Sequence, residues 1–195
     1  MMLRTRRIYR RFIASRRGMA AIEFAMVLPV LLILFHASFD AGNAIGTYMK
    51  VRSATYTLAA ITNQYQTIQT TDMTTITGAT SAVFAPYASA PAIVTISQIK
   101  ATSATQAQVS WSYSPTSGYA LAQGSAVTNL PASFGQNTCG NTYPCFVILA
   151  TVQYTYTPTF GYFITGTLTL SDSLYVTPRS STCVKYPPQN VTLCT

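Results

Sequence analysis

The sequence predicts an α+β protein: a long N-terminal transmembrane helix that extends into an exported antiparallel β-sheet domain. Three observations carry this. An apolar run from Met19 to Phe39 follows a block of arginines. Apolar and small residues then keep a spacing of three or four up to Gln69. From about residue 71 the pattern changes to alternation, in runs rich in β-branched and aromatic residues.

The N-terminal block comes first. Arg4, Arg6, Arg7, Arg10, Arg11, Arg16 and Arg17 supply most of the formal net charge of +8. The rest of the chain has five bases and four acids. A nucleic-acid-binding domain needs a basic face on folded structure, and the distal domain lacks one. Arginines that end where an apolar run begins follow the positive-inside rule. They place the N-terminus in the cytoplasm and everything after about residue 40 outside. Charged residues make up 8% of the chain, against about 25% in ordinary soluble domains. That fits a chain that crosses or leaves a membrane better than a cytosolic one.

Met19–Phe39 is 21 residues, about 31 Å of helix, one bilayer core. A removable secretory signal has a shorter apolar core followed by small residues at −3 and −1. The nearest match is Gly42-Asn43-Ala44, beyond Asp40. Pro29 sits mid-span, where it leaves the carbonyl of Ala25 without an amide partner. Glu23 lies inside the run. A bare carboxylate deep in lipid costs roughly 2.5–3.5 kcal/mol, so an intramembrane acid marks a functional site and needs a partner. If the chain were cut after Gly18, Glu23 would be the fifth residue, one helical turn from the free α-amine of Met19.

The helical spacing continues through Ala41, Ala44, Ile45, Tyr48, Val51, Leu58, Ile61, Tyr65 and Ile68. It predicts one helix over 19–69. The threonines weaken helix propensity, so packing must support this half. His36 and Asp40, four apart at the outer boundary, read as an interfacial polar pair.

Strands are expected at Ile93–Lys100, Gln108–Tyr113, Phe146–Tyr156, Thr167–Leu170 and Ser173–Val176. Val109, Trp111 and Tyr113 alternate onto one face. Prolines and glycines punctuate the gaps, and residues 114–144 are the least structured by composition. One sheet face should pack on the outer half of the helix. The domains are thus a basic leader at 1–18, the transmembrane helix at 19–39, its continuation at 40–70 and a β-rich domain at 71–195. Tyr143, Tyr154, Tyr156, Tyr162, Tyr175 and Tyr186 are either half-buried strand residues or a partner-binding surface.

Cys139, Cys145, Cys183 and Cys194 all lie in the exported part, where disulfides are expected. Three pairings are open. Local pairs, Cys139 with Cys145 and Cys183 with Cys194, are simplest. The spacing is not that of a metal site, and the single histidine lies in the membrane run. One His and four scattered acids offer no catalytic arrangement, so neither an enzyme nor a cofactor is expected.

The stretch Arg16-Arg17-Gly18-Met19-Ala20-Ala21-Ile22-Glu23-Phe24 resembles a type IV prepilin-like leader. In this variant it is similar to the processing motif of the TadE-like (TadE/TadF) pseudopilins of the Tad (tight adherence, Flp) pilus system. The resemblance continues from Phe39-Asp40-Ala41-Gly42 through Ala59-Ala60 and more faintly over residues 152–179. It implies cleavage between Gly18 and Met19 by a prepilin peptidase, a membrane aspartic protease. It assigns Glu23 and Phe24 to subunit assembly, with Glu23 paired to an N-terminal amine. Phe24 departs from the Tyr that often follows the Glu in the major pilins, and this chain is far longer than they are. The resemblance therefore implies a low-abundance pseudopilin of the bacterial inner membrane, its domain periplasmic. Its partners would be the peptidase and other pilins and pseudopilins, with no nucleic acid. An alternative is a signal-anchored envelope or adhesion protein with a ligand-binding β domain. A third is a secreted domain released near Ala44.

Overall fold

The computed structural model describes residues 18–88, 92–128, 130–131, 134, 139–160 and 166–189. The arginine block up to Arg17, Tyr162 and Cys194 lie outside the described residues.

Helix α1 spans Met19–Thr62 and continues across Pro29. Its two halves differ. In the apolar half, the stretch that is long and apolar enough to cross a membrane has no buried residue among those described. The second half buries Asp40, Thr47, Val51, Ala54, Thr55, Leu58, Ala59 and Thr62. These recur at three, four or seven, one face of a helix. Three of them are threonines, whose hydroxyls would be stranded in a core. Each instead donates to the carbonyl four residues earlier: Thr47 to Asn43 at 2.8 Å, Thr55 to Val51 at 3.0 Å and Thr62 to Leu58 at 2.7 Å. A buried Thr so satisfied costs no unpaired polar group.

The helix ends at Thr62, not at the expected Gln69. Residues 63–68 bond to a strap from the C-terminal region instead. The Arg179 amide donates to the Asn63 carbonyl, the Lys185 amide to Gln66 and the Ile68 amide to Lys185, each at 2.9 Å. A second helix, α2, follows at Thr70–Val83, where the alternation reading expected sheet. Asp72 starts it by accepting the Gln69 amide at 2.8 Å. Its inward residues are Met73, Ile76 and Thr80.

Five strands form one antiparallel sheet in the order β3-β2-β1-β4-β5. They are β1 (Ala92–Ala101), β2 (Ala107–Tyr113), β3 (Ala126–Val127), β4 (Cys145–Tyr156) and β5 (Leu168–Val176). The two runs expected around 167–176 are one strand, and β3 falls in the stretch read as least structured. A bulge sets Trp111 opposite Gln98 but Val109 opposite Ile99, so Val109 does not continue the row of Trp111 and Tyr113.

One sheet face packs on α1, α2 and the strap. Val94, Ile96, Trp111, Ile148, Ala150, Val152, Tyr154 and Tyr156 meet Val51, Leu58, Met73, Ile76 and Phe84 there. The strap adds Val184 and Tyr186. It is tied through buried Gln98, whose Oε1 accepts the Val184 amide at 2.7 Å, and through the Trp111 ring N–H, which donates to the Val184 carbonyl at 2.8 Å. A smaller cluster holds Ile99, Val147, Leu149 and Phe134. The antiparallel registers place Val147 and Leu149 on the sheet face opposite Ile148 and Ala150. The tyrosines therefore serve mainly as core: Tyr154, Tyr156 and Tyr186 are buried, and Tyr143 and Tyr175 half-buried.

Candidate functional site

The N-terminal end of α1 carries four of the residues singled out above. Gly18 precedes the first helical residue, Met19. Its φ of −82° and ψ of −14° suit any residue. A Cβ added to it would meet nothing within 4 Å. The fold thus makes no demand for glycine there. Met19, Ile22 and Phe24 are exposed. Glu23 stands one turn after Met19, about 6 Å along the axis. It is exposed and has no hydrogen-bonding or ionic partner among the described residues.

Where the apolar run ends, the sequence reading of His36 and Asp40 as a mutual pair needs correction. Asp40 is 3% exposed. Its Oδ1 accepts the backbone amides of Thr159 and Phe160 at 3.2 and 3.3 Å. The Asp40 carbonyl accepts the Tyr156 hydroxyl at 3.3 Å. Burial, and then the Asp40 charge, push the Tyr156 hydroxyl above its ordinary pKa. The His36 ring lies edge-to-face on Phe160 at 4.4 Å between centroids, and Phe39 meets the same ring at 5.5 Å. Both polar residues therefore hold the turn that follows β4. Sequence could have hinted at this, since a lone acid at the end of an apolar span needs partners. Its partners lie 119 and 120 residues away, beyond any local pattern.

Above this collar, α1 keeps an outward stripe of Ile45, Met49 and Tyr56. The Arg52 guanidinium lies 5.7 Å from the Tyr56 ring centroid. At Gly42, on the same half of the helix, a Cβ would meet nothing within 4 Å. The stripe continues the exposed apolar surface of the span at positions three or four apart, as in helices that pack on other helices.

The cysteines are elsewhere. Cys139 and Cys145 form a disulfide beside the outer cluster of the sheet. Gly140 and Asn141 both take left-handed conformations to close that short loop. Cys183 is disulfide-bonded as well, and its Sγ accepts Gln98 Nε2 at 2.9 Å. The pairing expected with Cys194 falls outside the described residues.

A shallow groove of about 310 Å³ lies between α2 and the start of the sheet, over Phe84, Val94 and Tyr113. No charged residue lines it. The rim hydroxyls of Thr77 and Ser81 donate to carbonyls of their own helix, at 2.8 and 2.6 Å. It offers little with which to recognise a polar ligand.

Residues 18–60 match the family model for TadE-like proteins. That is the family which the leader and helix resemble, and the match runs from Gly18 across the collar to the sheet-packed half of α1. It supports a protein related to the Tad pilus. The length and composition of α1 suggest membrane anchoring. No curated protein and no solved structure matches the chain.

Proposed function

Taking the TadE-like segment at residues 18–60 as premise, we propose that this protein is a minor pseudopilin in the assembly of a bacterial Tad/Flp-type surface pilus. The peptidase cuts between Gly18 and Met19. The freed helix associates laterally through its apolar surface and carries the β domain with it. The protein sits in the inner membrane with its domain in the periplasm before assembly. It is a substrate of an enzyme and not itself one.

The observation that carries this reading is the pairing of a glycine that its own fold does not need with an acid that its own fold does not satisfy. A glycine free of backbone or packing demand, placed just ahead of an apolar helix, fits a requirement set by another protein. An unpartnered carboxylate in an exposed apolar helix, costing roughly 2.5–3.5 kcal/mol in lipid, fits a partner supplied on assembly. The α-amine created at Met19, from the same or a neighbouring subunit, is that partner. A buried pair of this kind is valuable as a register device more than as net stabilisation.

The test is the N-terminus of the mature protein, by intact mass and terminal sequencing of membrane fractions. Wild type, Gly18→Ala and Glu23→Ala are compared. The expected start is Met19, absent in Gly18→Ala. Glu23→Ala should still be cut but fail to enter pili. A start at Met1 or Met2 overturns the proposal and leaves an anchored envelope protein. A start near Ile45 leaves a secreted domain.

A further inference from the structure

We infer that the residues just after β4, 157–160, make a second membrane contact, with Phe160, beside Phe39 and Phe35 of α1, seated in the outer interfacial layer of the lipid bilayer. The inference rests on reading Met19–Phe39 as a membrane span. It adds that the exported domain rests on the membrane surface and does not stand clear of it.

Height is the first argument. The Phe160 ring touches His36 and Phe39, which are the end of the apolar run. Residues 36–40 occupy about 6 Å of helix axis. Phe160 is therefore level with the place where the span leaves the hydrocarbon. Phe rings on an apolar face bury at the boundary between headgroups and acyl chains. Phe160 is 39% exposed, Phe39 46% and Phe35 64%. In water the three rings would form one apolar patch, an arrangement that monomeric surfaces avoid. Lipid covers it without any further protein, because the patch is continuous with the lipid-facing span.

Backbone satisfaction is the second argument. A turn at the edge of the hydrocarbon finds less water for its amides the deeper it sits, so partners within the protein favour seating it there. The amides of Thr159 and Phe160 instead donate to a carboxylate, and that carboxylate is itself buried. Charge is the third. Between Glu23 and Lys50 the chain has one charged side chain, Asp40, and it faces inward. Nothing charged is dragged toward lipid by seating the turn. Nor does a basic patch draw it there, so the contact is apolar and insensitive to anionic lipid.

Bromolipid quenching of tryptophan fluorescence tests this on the full chain. The protein is reconstituted in phosphatidylcholine vesicles brominated either high or low on the acyl chain. Trp111, buried under the strap, is a built-in background that neither lipid should quench. Phe160→Trp should add emission that is lost mainly with the shallow bromines, equally with and without phosphatidylglycerol. Leu31→Trp, mid-span, should be quenched mainly by the deep ones. Quenching at residue 31 with none at residue 160 would overturn the contact and leave the span intact. That outcome would give the aromatic patch to a protein partner. Quenching at neither position would remove the span and the contact together. Unchanged Trp111 emission establishes that each variant is folded.

Discussion

Asp40→Ala tests how the domain is fixed to its helix. The substitution removes the acceptor of two backbone amides at 3.2 and 3.3 Å. A hydrogen bond to a charged group contributes about 1.5–3 kcal/mol. Both bonds are longer than the 2.7–2.9 Å common for charge-assisted pairs. Thr159 and Phe160 are also surface residues, so water can replace part of what is lost. Together these place the loss below the low end of about 3 kcal/mol for two such bonds, at about 2 kcal/mol for the pair. For a domain of roughly 150 residues that lowers the melting temperature by about 4–8 °C. Asp40→Asn keeps an oxygen at the Oδ1 position and should lose less than half as much. The assay is thermal unfolding of the full chain in detergent micelles, followed by near-ultraviolet circular dichroism. If Asp40→Ala melts within about 1 °C of wild type, the carboxylate does not hold the turn and the reasoning fails.

Further outcomes follow from other contacts. Gln98→Ala strands the buried Val184 amide and leaves a void, so it should cost about 2–4 kcal/mol by denaturant midpoint; a loss near zero would mean that the strap is held without it. Replacing Cys139 and Cys145 by Ser opens a loop with a sequence separation of 6. It should cost about 2 kcal/mol on the chain-entropy estimate, and hydrogen exchange should rise around Val147 and Leu149 but not around Leu58. Burial raises the hydroxyl pKa of Tyr154, Tyr156 and Tyr175. The folded protein therefore holds more phenol protons than the unfolded chain above the usual value near 10. Stability from this source is complete below that pH and falls as pH climbs through the raised values. Tyrosinate absorbance measured alongside unfolding checks it, and equal denaturant midpoints at neutral pH and well above 10 would contradict it.

Local rules made much of the architecture legible. The apolar run located the exposed first half of α1. The spacing through Val51 and Leu58 located the face on which the sheet packs, and alternation at Ile93–Lys100 and Phe146–Tyr156 located the two central strands. What escaped depends on distant partners. Tyr65 and Ile68 fit a helical spacing, yet the backbones of Gln66 and Ile68 bond to Lys185, so the helix ends early. In α2, six threonines and a glycine dilute the apolar period and leave Met73 and Ile76 as its main signal. The Trp111 row is broken by a bulge that alternation alone cannot foresee. The collar was not readable from spacing, because Asp40 and Phe160 meet only after the sheet has formed.

Helix α1 runs without a break in its helical backbone from Met19 to Thr62. Its 44 residues make a rod of about 66 Å, and the sheet is bonded along its upper part. Turning the rod in the bilayer by one residue step, about 100°, swings the whole domain through the same angle. Lifting it by a turn raises the domain by about 5.4 Å. The bulky head therefore acts as a gauge on the slender stem. If the chain assembles as proposed, two neighbouring stems can pack only at azimuths and offsets that let their heads pass, so how often such a subunit can follow itself would be decided outside the membrane, by steric exclusion between heads.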